Sequence, residues 1–182
     1  MIKRIVLTGG PCAGKTTVLL LLEKELRKKG YRVFIVSESA TELIRGGITP
    51  HSDCFGMLEF QKIIMSYQFH KEEIYNRAAL KKNDENVVII YDRGLLDNKA
   101  YISDEEFGPV LESLSSEIGY NINEFDILSR YDMVLHLRTS AGNKGYSLEN
   151  NNARYESEQE AIMLDRRTQS VWMNHNNLYV VE

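Results

Sequence analysis

Near its start the sequence carries a glycine-rich pattern that constrains both the local fold and the kind of ligand the chain can hold. Residues 9–16 read Gly-Gly-Pro-Cys-Ala-Gly-Lys-Thr, in which glycines separated by four residues are followed by lysine and threonine, the spacing of a phosphate-binding loop. The apolar run Ile5–Leu7 before it predicts a buried strand, and residues 17–29 after it predict a helix. The pattern therefore has the strand-loop-helix context that such a loop needs.

Each residue type in the pattern suits a polyphosphate. Backbone N–H groups and the positive end of a following helix bind anions, and glycine lets the backbone approach closely. Lys15 would reach the β- and γ-phosphates, Thr16 would offer its hydroxyl to Mg²⁺, and Thr17 would help to cap the helix. We therefore expect ATP or GTP, with Mg²⁺, on a loop built from Gly9, Gly10, Pro11, Cys12, Ala13, Gly14, Lys15, Thr16 and Thr17.

Two further predicted strands, Tyr31–Val36 and Val87–Tyr91, are each followed by charged residues. Because ligands bind at the carboxyl ends of strands in open parallel sheets, Glu38 is a candidate general base or acceptor-binding carboxylate. The alternative is a charge near the start of the next helical segment. Asp92 is a candidate Mg²⁺ ligand together with the threonine of the loop, and Arg93 could meet an anionic or hydroxylated substrate.

Residues 57–80 predict a long amphipathic helix, since apolar side chains recur at three- and four-residue steps. The predicted core-facing stripe consists of Met57, Phe60, Ile64, Tyr67, Ile74 and Ala78. Periodicity leaves open whether the far end of this helix also lines an acceptor pocket or forms a homodimer face. Farther along, Asp97 is a weaker candidate for the acceptor site, and Gly108-Pro109 predicts a break before a helix over 110–118.

The C-terminal part predicts a strand over Tyr131–Leu137, a helix over about 156–174 and a last strand at Leu178–Val181. Between the first two lies a polar segment, 139–154, rich in Gly, Ser and Asn. A long polar loop of this kind is typical of a lid, and Arg154 at its end could close over the transferring phosphoryl group. A solvent-facing arginine is the alternative.

Composition and charge indicate a single-domain protein and argue against nucleic-acid binding and a membrane span. A chain of 182 residues with 43% hydrophobic residues is long enough to form one domain, residues 1–182, around its own core. A formal net charge of −4, with no basic stripe, argues against nucleic-acid binding. Cys12 and Cys54 have no CxxC neighbour and indicate a reducing, cytoplasmic setting. No leader pattern or apolar run of ~20 residues is present, so we expect no membrane span.

Three segments together resemble one family: residues 9–17, the Tyr-Asp-Arg-Gly-Leu-Leu-Asp of 91–97, and the Leu-Glu-Asn-Asn-Asn-Ala-Arg-Tyr-Glu of 148–156. They are similar to the P-loop AAA-type ATPase/kinase domains that include the ribosylnicotinamide kinase domain of NadR and, more closely, the TRPL translocation defect protein. The resemblance implies a three-layer α/β/α fold with five parallel strands in the order 2-3-1-4-5. It also implies further residues after Glu182 that contact the base, so the choice between ATP and GTP stays open.

Phosphoryl transfer to a small, hydroxylated, nucleoside-like acceptor is the leading functional hypothesis. In it Lys15, Glu38, Arg93 and Arg154 are catalytic, and Thr16 and Asp92 hold Mg²⁺. The alternative is a nucleotide-hydrolysing regulatory or switch protein that docks on a protein or phosphoinositide partner, as the second member of the family would allow.

Overall fold

The computed structural model describes residues 1–51, 54–82, 85–139 and 158–181. The strands are β1 (Ile2–Gly9), β2 (Arg32–Val36), β3 (Val87–Asp92), β4 (Met133–Leu137) and β5 (Leu178–Val181). The helices are α1 (Lys15–Lys28), α2 (Ser39–Arg45), α3 (Gly56–Leu80), α4 (Asp104–Ile118), α5 (Glu124–Leu128) and α6 (Glu158–Val171), with a 3₁₀ helix at Leu95–Tyr101. Each of the five strands expected from the sequence is present, with ends shifted by a few residues.

The five strands form one parallel sheet in the order β2-β3-β1-β4-β5. Strand β1 is central, and its register places Leu7 beside Asp92 of β3 and Gly9 beside Leu137 of β4. Alternate residues of β1 point to opposite faces. Leu7 joins the apolar side chains beneath α1, whereas Val6 joins a larger cluster with α3 and α4. Helices thus cover both faces, and the expected three-layer α/β/α fold and strand order are confirmed.

Helix α3 buries only part of the predicted stripe: Phe60 and Ile64 are buried as predicted, whereas Met57, Tyr67, Ile74 and Ala78 are exposed. Met57, Tyr67 and Ile74 are 41%, 40% and 56% exposed, so their assignment to the core was wrong. The buried face is rotated and includes polar residues: Phe60, Gln61, Ile64, Met65, Gln68, Phe69, Glu72 and Ala79. The sequence did not predict this stripe, because polar side chains interrupt its apolar periodicity.

The predicted interruption of α4 was also wrong, since one helix runs through Gly108 and Pro109. Both residues are exposed, so the ring of the proline meets no packed neighbour. A capping box formed by Ser103 and Glu106 fixes the start of the helix, and the buried face that includes Phe107 anchors it to the core. Capping and packing therefore outweigh the missing N–H of the proline.

The carboxyl ends of the parallel strands lie along one edge of the sheet, as the topology requires. The glycine-rich loop leaves β1 at this edge, Glu38 follows β2, Asp92 ends β3 and Thr139 follows β4. The predicted phosphate loop, Glu38 and Asp92 thereby lie at the carboxyl ends of three adjacent strands, β1, β2 and β3.

Candidate active site

The glycine-rich loop connects β1 directly to α1 and has a strained backbone. Gly9, Cys12 and Gly14 have φ angles of 141°, 56° and 75°, which are values that favour glycine. A Cβ at Gly9 would overlap the carbonyl oxygen of Leu137, so a side chain is excluded there. Helix α1 begins at Lys15 with Gly14 as its N-cap and no side-chain cap. The expectation that Thr17 caps this helix was therefore wrong, because Thr17 already lies within its first turn.

Lys15 folds back over the loop. Its Nζ donates to the carbonyl oxygens of Gly9 and Gly10, at 3.1 and 2.9 Å. Burial and, to a smaller extent, the charge of Arg93 lower the pKa of Lys15 to about 8, although the charges of Glu38, Asp92 and Asp97 act in the opposite direction. Lys15, Glu38, Asp92 and Arg93 are thus within electrostatic reach of one another.

The ion pair between Glu38 and Arg93 joins the ends of β2 and β3. Arg93 Nε donates to Glu38 Oε1 at 2.6 Å, and Thr41 Oγ1 donates to Glu38 Oε2 at 2.5 Å. Burial would raise the pKa of Glu38, but the charge of Arg93 and the hydrogen bonds from Thr41 and Arg93 outweigh it and leave the pKa below its usual value. The carboxylate is therefore ionised at neutral pH.

Asp92 lies at the end of β3 with a free ligand atom. Its Oδ1 is buried and has no hydrogen-bond partner among the described residues. Burial raises the pKa of Asp92, and the negative charge of Glu38 raises it further. An orphaned buried carboxylate oxygen beside a phosphate loop fits a Mg²⁺ ion, which binds proteins through one or two carboxylates together with substrate phosphates. Thr16, in the first turn of α1, is the second predicted ligand.

A cavity of about 430 Å³ opens beside the loop between α2, α3 and the 3₁₀ helix. Ser39 Oγ, Gln61 Oε1 and Arg93 Nη1 belong to residues that line it and are buried without hydrogen-bond partners in the described ranges. Buried polar atoms are normally paired, so these three atoms are suited to a polar ligand. The apolar part of the wall includes Ile44, Phe60, Ile64, Tyr101 and Leu164.

Asp97 also lines this cavity, but its oxygens are already used by the protein. Oδ2 accepts from Gly94 N at 2.7 Å, and Oδ1 accepts from Trp172 Nε1 at 3.2 Å and from Thr8 Oγ1. Trp172 is fully buried. Asp97 thus braces the turn after β3 against β1 and the residue that follows α6.

Sequence reasoning missed the residues that brace the phosphate loop from α6 and β4. Asp165 Oδ1 accepts from Gly10 N at 2.8 Å and from Thr139 N at 3.3 Å. Thr139 Oγ1 in turn donates to the carbonyl oxygen of Pro11 at 2.5 Å. These contacts hold the first half of the loop in place. A carboxylate in a helix far along the chain gives no local signal of such a contact.

Sequence reasoning also missed Gln61, Gln68 and Asn98, which line the cavity. The first two could have been found, since Gln61, Gln68 and Glu72 are spaced by seven and four residues and therefore share one helix face.

Arg154 and residues 140–154 of the predicted lid lie outside the described residues.

A central parallel strand, a glycine-rich loop leading into a helix, and an acidic residue ending the neighbouring strand define the P-loop NTPase class. The family comparison agrees. A model described as an AAA domain matches residues 4–182, and the chain belongs to this AAA domain family. No curated protein matches the sequence significantly. The narrower resemblance to the ribosylnicotinamide kinase domain and the TRPL translocation defect protein stays a prediction.

Solved structures similar to this chain include those of deoxyadenosine kinase from M. mycoides. One, with bound dATP, has a TM-score of 0.55 at 16% sequence identity, and the alignment covers 99% of this chain and 90% of the kinase chain. Another, with dCMP and a flexible dCDP bound as products, has a TM-score of 0.54 at 18% identity and covers 98% and 90%. At such identities the similarity shows the shared fold.

Among the described residues, none of the helices combines the length and the hydropathy that a membrane-spanning segment needs.

Proposed function

We propose that this protein is an Mg²⁺-dependent kinase that transfers the γ-phosphoryl group of ATP or GTP to a hydroxyl group of a nucleoside-like acceptor. One observation carries the proposal. The ion pair of Glu38 and Arg93, whose nitrogen and oxygen atoms are 2.6 Å apart, lines a cavity that also contacts Pro11 of the phosphate loop. A carboxylate and a guanidinium in the wall of a cavity next to a phosphate site suit phosphoryl transfer to a bound hydroxyl.

The cavity supports an acceptor of nucleoside type. Its volume of about 430 Å³ is within the range of small-molecule sites, which combine apolar walls with a few polar groups that orient the ligand. Ring systems with polar edges match the apolar wall and the atoms of Ser39, Gln61 and Arg93 that have no hydrogen-bond partner in the described part of the chain. The similar structures point the same way, since they are those of a deoxyadenosine kinase with dATP bound in one and with dCMP and dCDP bound in the other.

In the proposed reaction the acceptor hydroxyl hydrogen-bonds to the ionised carboxylate of Glu38. Its oxygen forms a bond to the γ-phosphorus, the bond from that phosphorus to the β–γ bridging oxygen breaks, and the hydroxyl proton passes to Glu38. Lys15 leaves the carbonyl groups of the loop for the β- and γ-phosphates, and Arg93 stabilises the charge on the transferred group. Thr16 and Asp92 would hold Mg²⁺, which supplies positive charge to the phosphates. The proposal gives Arg154 the same stabilising role from the segment after Thr139.

The test is nucleotide turnover with and without acceptors. ATP and GTP consumption are measured alone and with a panel of nucleosides, deoxynucleosides, sugars and inositol lipids, and products are identified by mass spectrometry. We expect at least one nucleoside to stimulate turnover and to appear as its monophosphate. Lys15→Ala, which removes the phosphate-binding ammonium, is the inactive control. Turnover that no acceptor changes would instead indicate the nucleotide-hydrolysing switch.

A further inference from the structure

The turn after β3, which carries the Arg93 guanidinium, is held at every peptide group by a hydrogen bond. Arg93 has a φ of 71°, a conformation that costs a non-glycine residue energy and persists only when its surroundings enforce it. Arg93 N donates to Leu7 O at 3.0 Å, and Arg93 O accepts from Gln68 Nε2 at 3.1 Å. Gly94 N donates to Asp97 at 2.7 Å, and Leu95 N donates to Tyr131 Oη at 3.0 Å.

Two of these contacts lead to the same carboxylate. Gln68 Nε2 also donates to Glu72 Oε1 at 3.1 Å. Tyr131 Oη lies 3.0 Å from both oxygens of Glu72, to which its hydroxyl proton is donated. Glu72 is therefore connected to the carbonyl group of Arg93 through one side chain and to the amide of Leu95 through the other. These two groups flank Gly94.

The carboxylate also fixes which way each connecting group points. An acceptor at Glu72 requires the NH₂ end of Gln68 to face it, and the same NH₂ group then reaches Arg93 O. The Gln68 oxygen meanwhile accepts from Asn98 Nδ2 at 3.2 Å. Likewise, a hydroxyl that donates to Glu72 keeps its lone pairs for the N–H of Leu95. Reversal of either group would break its contact with the turn.

Glu72 orients Gln68 and Tyr131 from a position outside the cavity. It is fully buried and does not line the cavity, whose α3 residues are Met57, Phe60, Gln61, Ile64 and Gln68. Its charge partner is Arg130, whose Nη2 lies 3.4 Å from Glu72 and 2.7 Å from Glu73. A buried carboxylate is costly without such partners. We propose that Glu72 is a positioning residue that, through Gln68 and Tyr131, sets the backbone of the Arg93 turn and so aims the guanidinium at Glu38 and the phosphoryl group.

This inference rests on the proposed kinase function for its kinetic consequence. Its structural consequence, the placement of the Arg93 side chain, does not depend on catalysis. The experiment therefore measures both, so that failure of one can be told from failure of the other.

The variants are Glu72→Gln, which removes the charge, and Tyr131→Phe, which removes one connecting hydroxyl and preserves the ring. Glu73→Gln is the matched control, because Glu73 pairs with the same Arg130 at 2.7 Å but contacts neither Gln68 nor Tyr131 in the described part of the chain. All are assayed at a temperature at which circular dichroism shows them folded. If Glu72→Gln does not fold, Tyr131→Phe decides.

We expect kcat to fall about 10- to 100-fold in both variants, as displacement of a catalytic group by ~1 Å does, with the Kd for ATP changed less than about threefold. The ¹H–¹⁵N signal of Arg93 Nε–H, assigned with Arg93→Lys, should shift in both variants and stay in place in Glu73→Gln. An unshifted signal in Tyr131→Phe, with kcat equal to that of the control, would overturn the inference. If no acceptor stimulates the wild-type protein, the kinase function fails and the Arg93 signal alone decides on positioning.

Discussion

Replacement of Glu38 by glutamine removes one charge while keeping the size of the side chain. The side chain of Arg93 is 12% exposed and that of Glu38 is 30% exposed, so the pair is only partly screened by water. Complete loss of a partner in a buried ion pair costs about 3–5 kcal/mol. Because glutamine still accepts from Arg93 Nε and Glu38 reaches solvent, we expect a smaller loss of unfolding free energy, about 1–2 kcal/mol.

The effect on catalysis should be larger than the effect on stability. A general base contributes about 10²- to 10⁴-fold to the rate, equivalent to about 3–5 kcal/mol of activation free energy. Acceptor-dependent turnover should therefore fall by that factor in Glu38→Gln, with a nearly unchanged Kd for ATP measured by calorimetry.

Glu42→Gln is the matched control for this substitution. Glu42 lies in α2, whose N-cap residue is Glu38, and pairs with Lys71 at 2.8 Å, but its side chain is 36% exposed, and it does not line the cavity. We expect a stability loss below about 1 kcal/mol and unchanged kcat. Equal kcat in Glu38→Gln and the wild-type protein, with the acceptor saturating, would refute the role of Glu38 as proton acceptor.

Four further predictions concern the phosphate loop, helix α4 and the buried carboxylate of Glu72. Because the pKa of Lys15 is about 8, ATP affinity measured by calorimetry should fall up to about tenfold per unit of pH above this value, and Lys15→Ala should lack this dependence. A Cβ at Gly10 would lie 2.7 Å from Asp165 Cβ, so Gly10→Ala should weaken ATP binding at least about tenfold. A Cβ at Gly108 would have no described residue within 4 Å apart from the backbone of its own helix, so Gly108→Ala should stabilise α4 by about 0.5–1 kcal/mol. Burial raises the pKa of Glu72 from 4.5 to about 7, so the wild-type protein should lose stability as pH rises through this interval. Urea unfolding of Glu72→Gln should lack this loss.

The positions of the strands could be predicted from the sequence because each is a short apolar run bounded by turn residues. Val87–Tyr91 is an example, since all five of its residues are buried. The strand order could not be obtained in this way, because it depends on which distant segments pair, and it came from the resemblance. The α3 stripe was misread in part for a physical reason: its buried face includes the polar residues Gln68 and Glu72, whose cost of burial is offset by hydrogen bonds to residues of other elements.

The predicted site residues are those that local sequence marks, whereas the missed ones depend on packing between distant segments. Lys15, Glu38, Asp92 and Arg93 follow the ends of strands, where topology alone brings side chains to one edge. Their placement beside one another agrees with the prediction, while their roles stay proposals. Asp165 contacts Gly10 across 155 positions of sequence, and this contact depends on the packing of α6.

The missed residues show how the proposed site is divided between chemistry and support. The strand ends supply the charged groups, but Arg93 has a strained backbone, which persists only where neighbouring groups hold it. Helices supply those neighbours: α3 supports the Arg93 carbonyl through Gln68, and α6 supports the loop through Asp165. If the proposed kinase function holds, a substitution in these helices should therefore change kcat without touching a ligand, and the Arg93 Nε–H signal distinguishes that effect from a general loss of stability.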